Sequence, residues 1–227
     1  MKLSVIVPCY NEEKTVAALL KKVESVSVSK EVIVIDDGST DNTREILKGF
    51  QYPPFKIILK SANSGKGDSI REGLRHAQGD IIIIQDADLE YDPQDYIRLI
   101  LPITDGKADV VYGSRWAGVP FSRQPFNIFR VGTWFLTWLT NMLYNAGITD
   151  EPTCYKVFKS GVLKGIELKC RRFEFCPEVT AKLRKKGYRI YEVPIHYEPR
   201  TVRQGKKVNW KDGIEAVWTL LKYRFHE

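Results

Sequence analysis

Cysteine is scarce in this 227-residue chain, and the four present, Cys9, Cys154, Cys170 and Cys176, form no C-x-x-C pair and no regular spacing. That argues against a disulfide framework or a cysteine zinc site, and reduced thiols in a cytosolic protein are the simplest reading. Histidine is scarcer still: His76, His196 and His226 are scattered and read as ordinary surface or core residues. No glycine-rich turn follows the first apolar stretch, which argues against a dinucleotide fingerprint and against a nucleotidyltransferase phosphate loop. The opening run, Leu3 to Pro8, is too short for a signal peptide's hydrophobic region and has no small-residue cleavage site, so no export is expected. Internal repeats and low-complexity segments are absent. The last absence is local: from Val110 to Thr149 there is no acidic residue.

What is present starts with 43% hydrophobic residues, enough for a proper core, and a net charge of +7 that points to an anionic partner. Charge alone does not choose among nucleic acid, a lipid headgroup and a phosphorylated metabolite. The most informative stretch is Gly79 to Asp88, four consecutive isoleucines running into Asp86 and Asp88. Such a run without polar alternation reads as a central parallel strand buried on both faces, and the carboxylates emerge at its carboxyl end, where open α/β sheets bind ligands. Two carboxylates this close suit Mg²⁺ or Mn²⁺, although an acidic turn before a helix capped at Asp92-Pro93 is the plainer alternative.

The order of elements agrees with a parallel sheet covered by helices. Strands are expected at 2–7, 31–35, 55–59 and the isoleucine run, alternating with helices at 14–26, from about 44, up to about 78 and at 93–104. A second acidic pair, Asp36-Asp37, ends the second strand, so both pairs can face one crevice; its alternative is a turn at Gly38 with Thr40 or Asp41 capping the next helix. Further strands are expected at 108–112, 154–159 and 188–195, with Pro194 at an end or edge, then a last amphipathic helix from Trp210 to Phe225.

Four segments, Val7-Pro8-Cys9-Tyr10-Asn11-Glu12-Glu13, Val34 to Asp41, Asn63-Ser64-Gly65-Lys66-Gly67 and Asp86-Ala87-Asp88, together resemble family-two inverting glycosyltransferases of the GT-A fold. Within them the chain is similar to the branch that transfers a sugar to a polyprenyl phosphate, the dolichyl-phosphate mannose or glucose synthases. The resemblance implies an α/β, Rossmann-like, mainly parallel sheet flanked by helices, in a single domain whose residues 1–112 bind the nucleotide sugar and 113–227 the acceptor. It implies a UDP- or GDP-hexose donor, with Pro8, Tyr10, Asn11, Glu12 and Asp37 around the nucleoside and Lys66 nearby. Asp86 and Asp88 then lie at the ribose and the divalent ion, and Glu90 falls where some mannosyltransferases carry a glutamine as third metal ligand. The ion on Asp88 would offset charge on the departing diphosphate.

In the acid-free stretch, Val131 to Thr149 is uncharged for nineteen residues. Thr133, Thr137, Thr140 and Asn141 continue a polar stripe from Arg130 at helical spacing, and Trp134, Trp138 and Tyr144 favour interfaces, so a membrane-surface helix at about 125–146 is expected rather than a transmembrane span. The alternatives are a buried helix or a dimer contact. A polyprenyl phosphate is already anionic and attacks without a strong base, so cations are needed: Arg115, Arg123 and Arg130 are the acceptor-phosphate candidates, with Arg115 and Arg130 also catalytic beside Asp88. A soluble enzyme acting on a sugar hydroxyl would instead need a base, for which Glu174 or Glu178 are the candidates. The basic, turn-rich segment Arg200 to Lys207 reads as a lid over the donor diphosphate, with Arg200 and Lys206 as contacts. Lys182, Arg184, Lys185 and Lys186 read as a solvated helix face, so no nucleic-acid partner is expected. The expected setting is peripheral, on the cytoplasmic face of a membrane, and a membrane-protein partner or homo-oligomer stays open.

Overall fold

The computed structural model describes residues 1–119, 128–200, 207 and 209–226. Among them seven strands form one sheet: β1 (Leu3–Cys9), β2 (Lys30–Asp36), β3 (Phe55–Leu59), β4 (Ile81–Ile84), β5 (Val110–Ser114), β6 (Lys156–Lys159) and β7 (Ile190–Pro194), in the order β3-β2-β1-β4-β6-β5-β7. Every pairing is parallel except the two made by β6. All seven residues of β1 and all four isoleucines of β4 are buried, which is why both strands read as unbroken apolar runs. Pro194 closes β7, an edge strand paired to β5 alone.

Helices α1 (Val16–Ser25), α2 (Thr43–Lys48), α3 (Lys66–His76) and α4 (Tyr96–Thr104) connect the first five strands, and α5 (Ile128–Tyr144), α6 (Ser160–Lys164), α7 (Phe175–Lys185) and α8 (Trp210–Phe225) follow. In α1 the buried residues Val16, Leu19, Leu20 and Val23 fall at helical spacing, one stripe laid on the sheet. α3 sits closer: a Cβ on Gly73 would lie 2.5 Å from Ile6 Cγ2 and 2.8 Å from Ile35 Cδ1. Gly73→Ala is therefore expected to lower stability by up to about 2 kcal/mol, because overpacking of about 1–3 kcal/mol is set against roughly 1 kcal/mol gained in helix propensity. Urea unfolding checks this; a variant as stable as the parent would mean that α3 shifts freely on the sheet.

β6 falls within the strand expected at 154–159, but it runs antiparallel to both neighbours, and the short α6 after it has no counterpart among the expected elements. Lys156 in β6 is fully buried, its Nζ donating to Glu151 O at 2.6 Å and Thr153 O at 3.0 Å over the Tyr112 ring. A smaller apolar cluster joins α5, α7 and α8 through Leu136, Leu139, Tyr144, Ala181, Ala216, Leu220 and Tyr223. Tyr144, expected at an interface, is instead buried there and donates to Leu220 O at 2.5 Å. No helix among the described residues is long and apolar enough to cross a membrane.

Candidate active site

The carboxyl ends of β1, β2 and β4 lie side by side, and the strand order reverses beside β1, which is where open α/β sheets form a crevice. Pro8 is buried within β1, opposite Ile35 of β2, and Tyr10, Asn11 and Glu12 follow at its end. Asn11 N–H donates to Ser39 Oγ at 2.9 Å, Thr40 N–H to Asn11 Oδ1 at 2.8 Å and Glu12 N–H to Thr43 Oγ1 at 2.8 Å, so the first two motifs fold as one surface. Asp41 Oδ1 accepts Thr43 N–H at 2.9 Å, but the N-cap of α2 is Asn42, whose side chain makes no capping bond, rather than the expected Thr40 or Asp41. The acidic pair divides its work: Asp36, expected to face the crevice, is fully buried and accepts from Arg44 Nε at 2.7 Å and Ser39 N–H at 3.2 Å. Asp37 accepts from Gly65 N–H at 2.7 Å, Ser64 N–H at 3.1 Å and Lys60 Nζ at 2.5 Å, pinning the third motif against the second. Gly38, at φ 76°, permits that approach: a Cβ there would lie 2.6 Å from the Ala62 carbonyl carbon.

At the end of β4, Gln85 Oε1 takes hydroxyls from Tyr96 at 2.6 Å and Tyr155 at 2.7 Å, fixing the strand's exit. Asp86 then pairs with Lys66 Nζ at 2.6 Å, at the start of α3. Burial works against the Asp86 charge, yet the Lys66 ammonium holds its carboxyl below the usual range. Asp88 differs: burial, then the charge of Asp86, push its carboxyl up to about 7 although Arg200 works in the opposite direction. The turn that follows Asp88 carries strain, with Leu89 at φ 63° and Glu90 N–H donating to Asp88 Oδ1 at 3.1 Å.

Arg200 closes the arrangement. Its guanidinium meets Asp88 Oδ2 at 2.7 Å and Glu12 Oε2 at 3.1 Å, and its N–H donates to Glu90 Oε1 at 3.0 Å. Lys207 Nζ reaches Glu12 Oε1 at 2.7 Å, so both flanks of the expected lid touch the end of β1. Lys206 and the lid's interior lie outside the described residues, as does Arg123. Asp86 and Asp88 offer hard oxygens, and the raised Asp88 carboxyl is what a shared divalent cation would relieve, so this pair fits Mg²⁺ or Mn²⁺. Glu90, expected as a third ligand, is turned to Arg200, and among the described residues no group of three His, Cys, Asp or Glu side chains is gathered that could hold a metal.

The arginines also part company. Arg115 is bound edge-on to buried Asp150, Nε to Oδ2 at 2.7 Å and a terminal nitrogen to Oδ1 at 2.7 Å, so one edge of its donor fork is taken. It lies between Tyr197 at 5.0 Å and Trp116 at 5.7 Å, and Arg130 stacks on the same Trp116 at 4.1 Å. Tyr197 packs on Tyr91, next to Glu90, at 5.4 Å, completing a chain of contacts from the carboxylates to Arg130. Arg130 opens onto a groove of about 420 Å³ lined by Trp116, Trp134, Thr137, Trp138 and Thr149.

Residues 4–164 match the profile described as glycosyl transferase family 2. The chain belongs to that family. It is 30% identical over 87% of its length to the low-salt glycan biosynthesis hexosyltransferase Agl6 of Haloferax volcanii, although it spans only 48% of that relative. It is 29% identical to the UDP-N-acetylglucosamine–dolichyl-phosphate N-acetylglucosaminyltransferase of Methanococcus voltae, over 95% of this chain and 93% of the relative. Among solved structures, glucosyl-3-phosphoglycerate synthase of Mycobacterium tuberculosis in complex with Mn²⁺ and UDP-glucose superposes with a TM-score of 0.77 at 17% identity, over all of this chain and 80% of that one, which establishes the shared GT-A fold. The family profile spans β1 through β6, including every carboxylate gathered around Arg200 except that the arginine itself lies beyond it.

In this glycosyltransferase neither acid nominated as a base is placed to act as one. Glu178 is fully buried and accepts from Lys169 N–H at 2.8 Å, Cys170 N–H at 2.6 Å, Lys182 Nζ at 2.5 Å and Tyr223 OH at 2.9 Å. Glu174 accepts from Arg171 N–H at 2.6 Å and Arg172 N–H at 2.8 Å, closing a turn before α7. Sequence reasoning missed Asp150, the partner of Arg115, and its signal was that it is the first of two adjacent acids, Asp150-Glu151, that end the acid-free stretch. It also missed Cys154, whose thiol lies 3.8 Å from Lys66 Nζ.

Proposed function

We propose that this family 2 glycosyltransferase moves a hexose from a UDP- or GDP-linked donor to the phosphate of a polyprenyl carrier at the cytoplasmic face of a membrane, inverting the anomeric carbon. The observation that carries the reading is α5. Its threonines turn inward, Thr137 Oγ1 accepting Glu151 N–H at 3.0 Å and Thr140 fully buried, while Val131, Trp134, Phe135, Trp138 and Met142 form an exposed row that starts beside Arg130. A helix with its apolar row outward suits the headgroup boundary, where a lipid-borne phosphate would meet Arg130. The relative from Methanococcus voltae, named for a dolichyl-phosphate acceptor, supports the same class.

In this reaction an oxygen of the carrier phosphate attacks the anomeric carbon from the face opposite the leaving group. The bond from that carbon to the diphosphate breaks, and its electron pair stays on the diphosphate. The attacking oxygen carries no proton, so no base is needed, in keeping with the use of Glu174 and Glu178 as anchors. Tyr10, Asn11 and Glu12 and the loop pinned by Asp37 would enclose the nucleoside, with Pro8 shaping the surface from within β1. Lys66 and Arg200 would face the diphosphate, and Arg115 would hold Trp116 and Arg130 in place. Asp86 and Asp88 would hold a divalent cation, which supplies positive charge to the departing diphosphate. Residues 1–112 would thus serve the donor and 113–227 the acceptor.

Two measurements test the reading. Purified protein with UDP- and GDP-sugars should release nucleotide when a short polyprenyl phosphate is added and not when simple glycans are added. Glu174→Gln should keep turnover within about twofold, since an acid that only closes a turn contributes no proton transfer, whereas loss of a general base costs about 10²–10⁴-fold. Turnover on glycans that collapses in Glu174→Gln would replace this reading with the hydroxyl-acceptor enzyme.

A further inference from the structure

We infer that α8 is a second bilayer-contacting helix, so that the protein docks through two apolar rows and is thereby held in one orientation on the lipid surface. The inference deepens the membrane part of the proposed function and rests on it.

α8 shows two opposite faces. Asp212, Ala216, Thr219, Leu220 and Tyr223 are buried, packed toward α5 and α7. Trp210, Ile214, Trp218 and Phe225 are exposed, by 60–72% of their surface. At 100° per residue those four fall within about 80° of the helix circumference, on the side away from the buried set. Four large apolar side chains in one row are more than scattered surface exposure. The helix is also well founded, with Asn209 and Asp212 forming a reciprocal capping box, so the row is rigidly presented.

The occupant argued for is a lipid bilayer containing anionic headgroups. Four of the chain's five tryptophans lie on the two outward rows, Trp134 and Trp138 on α5 and Trp210 and Trp218 on α8, and tryptophan favours the headgroup boundary. Lys211 and Lys222 flank the α8 row on one side and Arg224 on the other, all exposed. A second copy docked on this face about a twofold axis would bring two such cation-flanked patches together, whereas anionic lipid neutralises the cations. Continuity points the same way: α5 and α8 share one apolar cluster, and Tyr144 OH bonds the α8 backbone at Leu220, so a surface that takes up the α5 row has α8 fixed beside it.

The test uses the full chain and vesicles of phosphatidylcholine and phosphatidylglycerol at three to one, without polyprenyl phosphate. Flotation should recover the parent with the vesicles; Trp210→Glu with Trp218→Glu should lower the partition coefficient at least tenfold, as should Trp134→Glu with Trp138→Glu. Matched melting curves verify that both double variants fold. A nitroxide placed at Ile214→Cys should show oxygen accessibility rising over that of a water-soluble nickel complex when vesicles are added, as should one at Trp138→Cys. Turnover on a short, water-soluble polyprenyl phosphate should be unchanged in the α8 variant. Three results would overturn the inference: undiminished flotation of the α8 variant, a nitroxide at 214 that senses only water while that at 138 enters lipid, or a parent dimer in lipid-free buffer that becomes monomeric in the α8 variant. Failure of the parent to use any polyprenyl phosphate would sink the proposed acceptor while leaving the flotation result to judge α8 separately.

Discussion

Asp88→Asn is expected to lower turnover by about 10²–10³-fold, the usual cost of removing one electrostatic group aimed at charge that develops in the transition state. The same variant should be more stable than the parent in chelator-treated buffer, and more so at pH 8 than at pH 5. The sign follows from the raised carboxyl: folded Asp88 titrates at about 7 against an ordinary 3.8. Between those values the folded protein holds a proton that the unfolded chain has lost, so stability declines as pH rises through that window and levels off above it. Asparagine mimics the protonated acid and escapes the decline. Steady-state kinetics with metal and thermal melts at the two pH values measure both effects. Undiminished turnover would remove Asp88 from the reaction, and an equal or lower melting temperature at pH 8 would mean that Arg200 already offsets the buried charge in full.

That instability is the physical reason the site could be read before the fold was known. Carboxylates at the end of an all-isoleucine strand contribute little to a core, and β4 is the central, fully buried strand that its unbroken apolar run implies, although it is parallel only to β1 and antiparallel to β6. Local rules also sufficed for Pro194 at the end of an edge strand. What escaped depends on partners distant in sequence. Arg115 looks like a phosphate clamp until Asp150, thirty-five residues on, takes one edge of its fork. Nothing local in the sequence marks Lys156 for the interior, where Glu151 O, Thr153 O and the Tyr112 ring enclose it. For α5 the threonine stripe announced two faces, but only its packing against α7 and α8 decides that the polar face is the inner one.

Arg200 shows the same dependence at the site itself. In sequence it is one cation of a basic, turn-rich run; in the fold it is the point where Glu12, Asp88 and Glu90 meet. Burial works against its charge, but Asp88 and Glu12 hold the guanidinium more firmly protonated than usual. Arg200→Ala is accordingly expected to lower kcat/KM by about 10²-fold, because a planar fork that serves several carboxylates is lost together with a cation facing the diphosphate. Arg200→Lys should recover little, since a single ammonium cannot span the oxygens that the fork reaches. Lys182→Ala is the contrast: Lys182 pairs with buried Glu178 at 2.5 Å, on α7, so its loss should lower the melting temperature while kcat/KM stays within about twofold. Donor titrations and melts on the three variants separate the two kinds of cation. Near-parental kcat/KM in Arg200→Ala would reduce Arg200 to a strap that merely keeps three carboxylates together, and its melting temperature would then be the only property to fall.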